Sequence, residues 1–150
     1  MRLWRSSDHG DLSGLGGLRV SGRWHSQGAR IVYLSDQPAS TLLEIVVHLE
    51  VDPEDLPDTF QLMAVDIPDD VRFEAIEMDQ LASGWPNNPA QTRGAGDRWL
   101  KQTKTALMRV PSALVPFAWN WLFNPAHADA AKARVAEIVP APFDPRLFKR

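Results

Sequence analysis

The stretch Thr41-Leu42-Leu43-Glu44-Ile45-Val46-Val47-His48 constrains this chain more than any other, and it sits inside a helical pattern spanning residues 37–50. At about 100° per residue, Ala39, Leu42, Leu43, Ile45, Val46, Val47 and Leu49 cover most of the circumference. Only a narrow polar strip is left, made of Gln37, Ser40, Thr41, Glu44 and His48. A helix that is apolar nearly all round is expected to be buried, so its polar strip must face either a wet cleft or satisfied partners. Ser35-Asp36-Gln37-Pro38 supplies a cap and an early proline, the ordinary signature of a helix start.

Upstream lie a turn, Ser21-Gly22-Arg23-Trp24-His25, and an apolar run, Ile31-Val32-Tyr33-Leu34. Arg23, Tyr33 and Glu44 can then converge on one cleft, offering a cation for a phosphate, a ring for stacking and an anion for developing positive charge. Such a set suits cleavage of the nicotinamide–ribose bond of NAD, which needs little covalent help. Its leaving group is already cationic and departs neutral, so positive charge grows on the ribose, as in glycoside cleavage. A fixed carboxylate stabilises that charge electrostatically, and an arginine orients the diphosphate. Each residue also has a plainer reading: a satisfied glutamate, a structurally paired arginine and a core tyrosine.

Other chemistries find less support. His9, His25, His48 and His127 are too dispersed for ligand pairs and no His-Glu-x-x-His occurs, so no metal is expected. There is no Gly-x-Ser-x-Gly elbow. Gly14-Leu15-Gly16-Gly17 follows no apolar strand and leads to no Gly-Lys-Ser/Thr, so it is neither a phosphate loop nor a dinucleotide fingerprint; it reads as a flexible segment close to a ligand. The absence of cysteine removes disulfides and thiolate metal sites. A net charge of −3 argues against direct nucleic-acid binding, which depends on clustered Lys and Arg. With no apolar leader and no window approaching a membrane span, a cytoplasmic location is expected. Six tryptophans are many for 150 residues and point first to a packed core.

Strands are expected at 1–5, 18–20, 29–34, 60–67, 71–76, 106–110, 119–125 and 133–139, from alternation and β-branched content. Besides the helix at 37–50, a second is expected at 90–105, a helical turn at 79–82 and a short alanine-rich turn or helix at 126–133. Proline and acidic residues make 52–58 a loop, and 84–89 is another. Ser112, after a strand end, reads by itself as a turn former. The tail is expected to pack through Phe143 and Phe148. Helices between strand groups without regular alternation imply an α+β fold in a single domain spanning 1–150.

Several pieces, taken in order, resemble one family. Leu3-Trp4-Arg5, Asp11-Leu12-Ser13-Gly14, Gly22-Arg23-Trp24, Val32-Tyr33-Leu34, Leu43-Glu44-Ile45-Val46-Val47-His48, Gly96-Asp97-Arg98-Trp99-Leu100, Val110-Pro111-Ser112, Asn124-Pro125-Ala126-His127 and Phe143-Asp144-Pro145-Arg146-Leu147 together resemble the RES-domain toxins of bacterial toxin–antitoxin pairs. The family is named for an Arg, a Glu and a Ser, which look like Arg23, Glu44 and Ser112. The resemblance implies an ADP-ribosyltransferase-like split α+β sheet with NAD in its cleft. It implies NAD degradation by hydrolysis or phosphorolysis, with NAD as substrate, phosphate as an admissible co-substrate and no resident cofactor. Some relatives transfer ADP-ribose to a protein instead, and a non-catalytic module that binds a nucleotide or a partner is a further alternative. A cognate antitoxin with an Xre-like helix-turn-helix is implied as the partner that plugs the cleft. By this resemblance Arg23, Glu44 and Ser112 are catalytic, and Arg5, Tyr33 and Asn124 bind substrate. His25 is a departure, since the family usually has Asn after Arg-Trp.

Overall fold

Among the described residues, alternation of apolar and polar side chains produces seven strands, all in one sheet. The computed structural model describes residues 1–49 and 55–148. Its strands are β1 (Arg2–Ser6), β2 (Val32–Ser35), β3 (Thr59–Asp66), β4 (Phe73–Ala75), β5 (Leu107–Pro111), β6 (Trp119–Phe123) and β7 (Arg134–Pro142). They lie in the order β4-β5-β6-β2-β1-β3-β7, antiparallel except for the β4–β5 pair. Two α-helices, α1 (Pro38–His48) and α2 (Pro89–Gln102), complete an α+β architecture, with short 3₁₀ turns between elements. No described helix is long and apolar enough to cross a membrane.

The centre of the sheet is where it opens. β2 pairs with β6 over four positions and β1 with β3 over five, whereas β1 and β2 share only the Trp4–Ser35 bridge. The two halves therefore diverge beyond that bridge, which is the splitting expected of the fold. Helix α1 packs against both β1 and β2 beside this opening.

Strand parity sorts side chains between two cores. Leu3, Val32, Leu34, Leu107, Trp121 and Phe123 join one buried cluster. Met108, Val110 and Leu122 join the other with Trp24, Trp85 and Trp99, and Tyr33 packs onto its edge. Side chains alternate faces along a strand, so Tyr33 and Ser35 on β2 and Asn120 and Leu122 on β6 share the second face. The packed-core reading of the tryptophans holds for Trp24, Trp85, Trp99 and Trp121, which are all buried.

Three expectations need correction. Residues 18–20 form no strand: Gly14, in left-handed backbone at φ 68°, starts a 3₁₀ turn at Leu15–Leu18, whose 3₁₀ bonds leave the chain no extended segment to pair. The second correction concerns α1, which is not a buried helix. Only Thr41 on it is buried, while Leu43 is 41% and Val47 58% exposed, so its apolar circumference covers the sheet on one side and meets solvent on the other. The helix ends at His48; its expected end at Glu50 lies outside the described residues, as do 52–54 of the acidic loop. Third, the glycine-rich loop does not reach the cleft. It packs beneath the 22–28 turn, where a Cβ on Gly17 would meet the Ala29 carbonyl, Ile31 and the His25 ring. The tail does dock through aromatics, with Phe143 4.9 Å from Phe60 and 6.0 Å from Phe148 between ring centroids.

Candidate functional site

The opening between β1 and β2 forms a cavity of about 620 Å³, roofed by α1 and bordered by the 21–24 turn and the start of α2. That volume lies within the range of sites for small ligands, roughly 300–1,000 Å³. Arg5, Arg23, Tyr33 and Glu44 all line it. Four of the six residues expected at the site thus share one surface.

The turn that carries Arg23 is held from behind by α2. Thr92 donates its hydroxyl to the Arg23 carbonyl (2.5 Å), and Arg93 donates Nε to the Gly22 carbonyl (2.8 Å). Asp97 accepts from the Ser26 amide (2.8 Å) and the Ser26 hydroxyl (2.6 Å). Between them, Gly96 lets the helix approach so closely that a Cβ there would collide with the Trp24 carbonyl. Thr92, Gly96 and Trp99 recur at helical spacing on the face of α2 that is buried. The Gly96-Asp97-Arg98-Trp99 motif is therefore a clamp on the arginine turn.

Three guanidinium groups meet at the cavity. Arg23 donates Nη1 to the Pro86 carbonyl (2.6 Å), Arg5 donates Nη1 to the Asp11 carbonyl (2.6 Å), and Arg93 is held at Gly22 as above. Neutral carbonyls fix these groups without cancelling their charge, and among the described residues none forms an ion pair with a carboxylate. A guanidinium has five donors, so each keeps N–H groups for an anionic ligand. Burial works against the charge of Arg5 and lowers its pKa, with the nearby Asp11 partly offsetting this.

Glu44 is the one carboxylate on the described lining. Its Oε1 accepts from Asn120 Nδ2 (3.1 Å), and the Asn120 carbonyl in turn accepts from the buried Ser35 hydroxyl (3.0 Å). Ser35 therefore sets the amide orientation, and the amide sets the carboxylate. Oε2 stands 4.0 Å from His48 Nδ1, which lies 2.7 Å from the Glu44 backbone carbonyl. The Glu44 side chain is 36% exposed against 75% for His48, so this pair is a solvated one of small energy. The carboxylate is open to a ligand yet oriented by Asn120, itself held by the buried Ser35.

Tyr33 is held as firmly. Its hydroxyl accepts from the Trp24 amide (3.0 Å) and lies 2.9 Å from His25 Nδ1. Burial is the main influence on the phenol and raises its pKa well above the ordinary value of 10.0, so it stays protonated across the neutral range.

Ser112 and Asn124 are not brought into this cavity. Ser112 follows β5, and its hydroxyl accepts from the amides of Leu114 (3.1 Å) and Val115 (3.2 Å), the turn-forming role read from sequence alone. Asn124 is buried just past the other end of β6, where its amide donates to the Ala106 carbonyl and its Oδ1 accepts from the Ala126 amide. The asparagine in the cleft is Asn120, at the opposite end of that strand. Asn120, Ser35 and Arg93 were missed. Arg93 had a readable signal, one turn before Gly96-Asp97 on the same helix face.

The family model described as the RES domain matches residues 2–144. This chain belongs to the RES-domain family. Among curated relatives, Toxin Res of Pseudomonas putida is 46% identical over 150 residues, covering 99% of this chain and 100% of the relative. The Prs ADP-ribosylating toxin of Sphingobium sp. is 35% identical, covering 97% and 92% respectively. Among solved structures, the MbcT–MbcA toxin–antitoxin complex of M. tuberculosis matches with a TM-score of 0.71 at 17% identity, covering 98% of this chain and 86% of the other, which shows a shared fold. The RES domain here is thus a split sheet whose opening holds one oriented carboxylate among three arginines.

Proposed function

We propose that this RES-domain protein is the toxin of a toxin–antitoxin pair and that it consumes NAD by cleaving the bond between nicotinamide and ribose. The observation that carries this reading is Glu44, the lone carboxylate on the described cleft lining, oriented by the Ser35–Asn120 relay and sharing that lining with Arg5, Arg23 and Arg93. NAD is a dianionic diphosphate joined to a cationic ring, and these residues complement both features.

In the proposed reaction the arginines hold the diphosphate and Tyr33 presents an aromatic surface beside the ring. The C1′–N bond breaks with its electron pair leaving on nicotinamide, which departs neutral. Positive charge develops on the ribose, and Glu44 stabilises it as a fixed anion. Water or phosphate then adds to C1′, and a proton is lost to solvent. Neither Ser112 nor Asn124 enters this scheme. The supporting relatives are toxins by name, and the fold neighbour is a toxin–antitoxin complex. A cognate antitoxin, with the Xre-like helix-turn-helix implied by the family resemblance, is accordingly the proposed protein partner.

A second reading is favoured by one relative, the ADP-ribosylating toxin at 35% identity. The same cleavage then passes ADP-ribose to a protein side chain in place of water or phosphate. One experiment separates the two: purified, antitoxin-free protein is incubated with labelled NAD, with and without phosphate and with and without cell lysate. Free nicotinamide with soluble ADP-ribose or its phosphate supports NAD consumption. Label on a protein band supports transfer, and intact NAD in every arm contradicts both.

A further inference from the structure

His25 stands where the family pattern has asparagine, and its surroundings give it a defined task. The ring is buried in the arginine turn, between the glycine-rich loop, β2 and α2. Its Nδ1 faces the Tyr33 hydroxyl at 2.9 Å and the Gly22 amide at 3.2 Å. The Gly22 amide can only donate. The Tyr33 oxygen already accepts from the Trp24 amide, so its single proton is available for Nδ1. The Gly22 N–H divides between the His25 carbonyl (3.0 Å) and Nδ1, and an unprotonated Nδ1 is the form that accepts from both this amide and the phenol, with the ring proton on Nε2. Nε2 is buried with no hydrogen-bond partner, and the backbone of Gly17 and Val20 near the ring favours its protonation. Gly22 belongs to the same device: a Cβ at that position would collide with the Tyr33 hydroxyl and crowd Nδ1.

We propose that His25 is a positioning residue: as the neutral Nε2–H tautomer it locks the Tyr33 hydroxyl and the 22–24 turn together, and so sets the stacking ring and Arg23 for the ligand. The inference rests on the NAD reading for its activity arm alone. Adding a proton to Nδ1 turns an acceptor into a donor that confronts the Gly22 N–H. It also forces the phenol to give up its donated bond, and the lock opens. The charged groups that act on the ring are Asp97 and Arg93, both on α2 and opposed in sign. Burial is the larger influence and favours the neutral ring.

The test has two arms. In ¹⁵N NMR of the full chain, carried in a Glu44→Gln background to avoid turnover, His25 is expected to show a protonated Nε2 and an acceptor Nδ1. Its titration is expected to lie below that of an exposed histidine. A protonated Nδ1 at neutral pH, or titration in the range of an exposed histidine, overturns the proposal whether or not NAD is the substrate. In the second arm, NAD turnover is followed against pH for wild type, His25→Leu and His25→Asn, each checked for folding by circular dichroism. Leucine removes the acceptor and is expected to lower kcat/KM by about tenfold, the scale of one buried hydrogen bond. Asparagine supplies a non-titrating acceptor at the Nδ1 position, so it is expected to restore the rate and to move the acid limb to lower pH. Equal rates for all three, with an unmoved acid limb, contradict the proposal. Should His25→Leu fail to fold, the asparagine profile and the NMR arm decide.

Discussion

Glu44 owes its role to two residues that never touch the cleft's anionic ligand in the proposed scheme. Ser35 is buried and fixes Asn120, and Asn120 fixes one carboxylate oxygen. Asn120→Ala is therefore expected to lower kcat by about tenfold with KM little changed, as when ~1.5 kcal/mol from a hydrogen bond to a charged group acts only in the transition state. Steady-state kinetics of nicotinamide release checks this, and a rise in KM at constant kcat would instead make Asn120 a binding residue. The residues found from sequence alone were those with a chemical identity that demands explanation: a carboxylate in an oily helix, an arginine in a turn, the lone tyrosine. Asn120 was missed for a physical reason. Two asparagines flank the apolar run of β6, and local sequence does not say which end of a strand meets the cleft; that depends on its pairing with β2.

Helices α1 and α2 contribute in opposite ways, and each invites a different substitution. The close contact of α2 with the arginine turn depends on Gly96, where no side chain fits above the Trp24 carbonyl. Gly96→Ala is expected to destabilise the protein by about 1–3 kcal/mol, an overpacking cost that outweighs the small helix-propensity gain of alanine. Urea denaturation measures it, and a stabilised variant would refute the close approach. On α1, Leu43 and Val47 lie on the exposed side. Leu43→Ser and Val47→Ser are expected to change unfolding by only about 0.5 kcal/mol, where a buried leucine would cost several times more. Periodicity found both helices within a few residues at each end. It misjudged the burial of α1 because an apolar circumference reports what a helix can cover, while the sheet here covers only one side of it. The strand expected at 18–20 failed for a local reason, since the glycines before it turn the chain before it can pair.

The whole molecule is a sheet joined at its middle by one bridge, with its functional groups gathered in the gap that results. The α+β class and seven of the eight expected strands followed from alternation and element order. The order of the strands, which puts β1 beside β2 and so creates the cleft, did not follow from any local pattern. Because His25 lies in the turn that closes this gap, pH should act on the fold as a whole. Burial lowers its pKa below the ordinary 6.5, so the native state holds the ring neutral where the unfolded chain would protonate it. Stability from this group is complete above about 6.5 and is lost as pH falls toward the native value. The Tm is thus expected to drop on acidification below about 6.5 in wild type and to drop less in His25→Asn, as calorimetry can show. Equal acid sensitivity in the two proteins would refute the linkage.

In the proposed reaction Glu44 acts on charge that develops during bond cleavage rather than on the bound substrate. Calorimetric binding of NAD to Glu44→Gln, set beside its rate of nicotinamide release, separates these two roles. NAD affinity is expected to stay close to that of wild type, with turnover reduced by about 10²–10³. Turnover retained in Glu44→Gln, or lost only in proportion to lost binding, would contradict it.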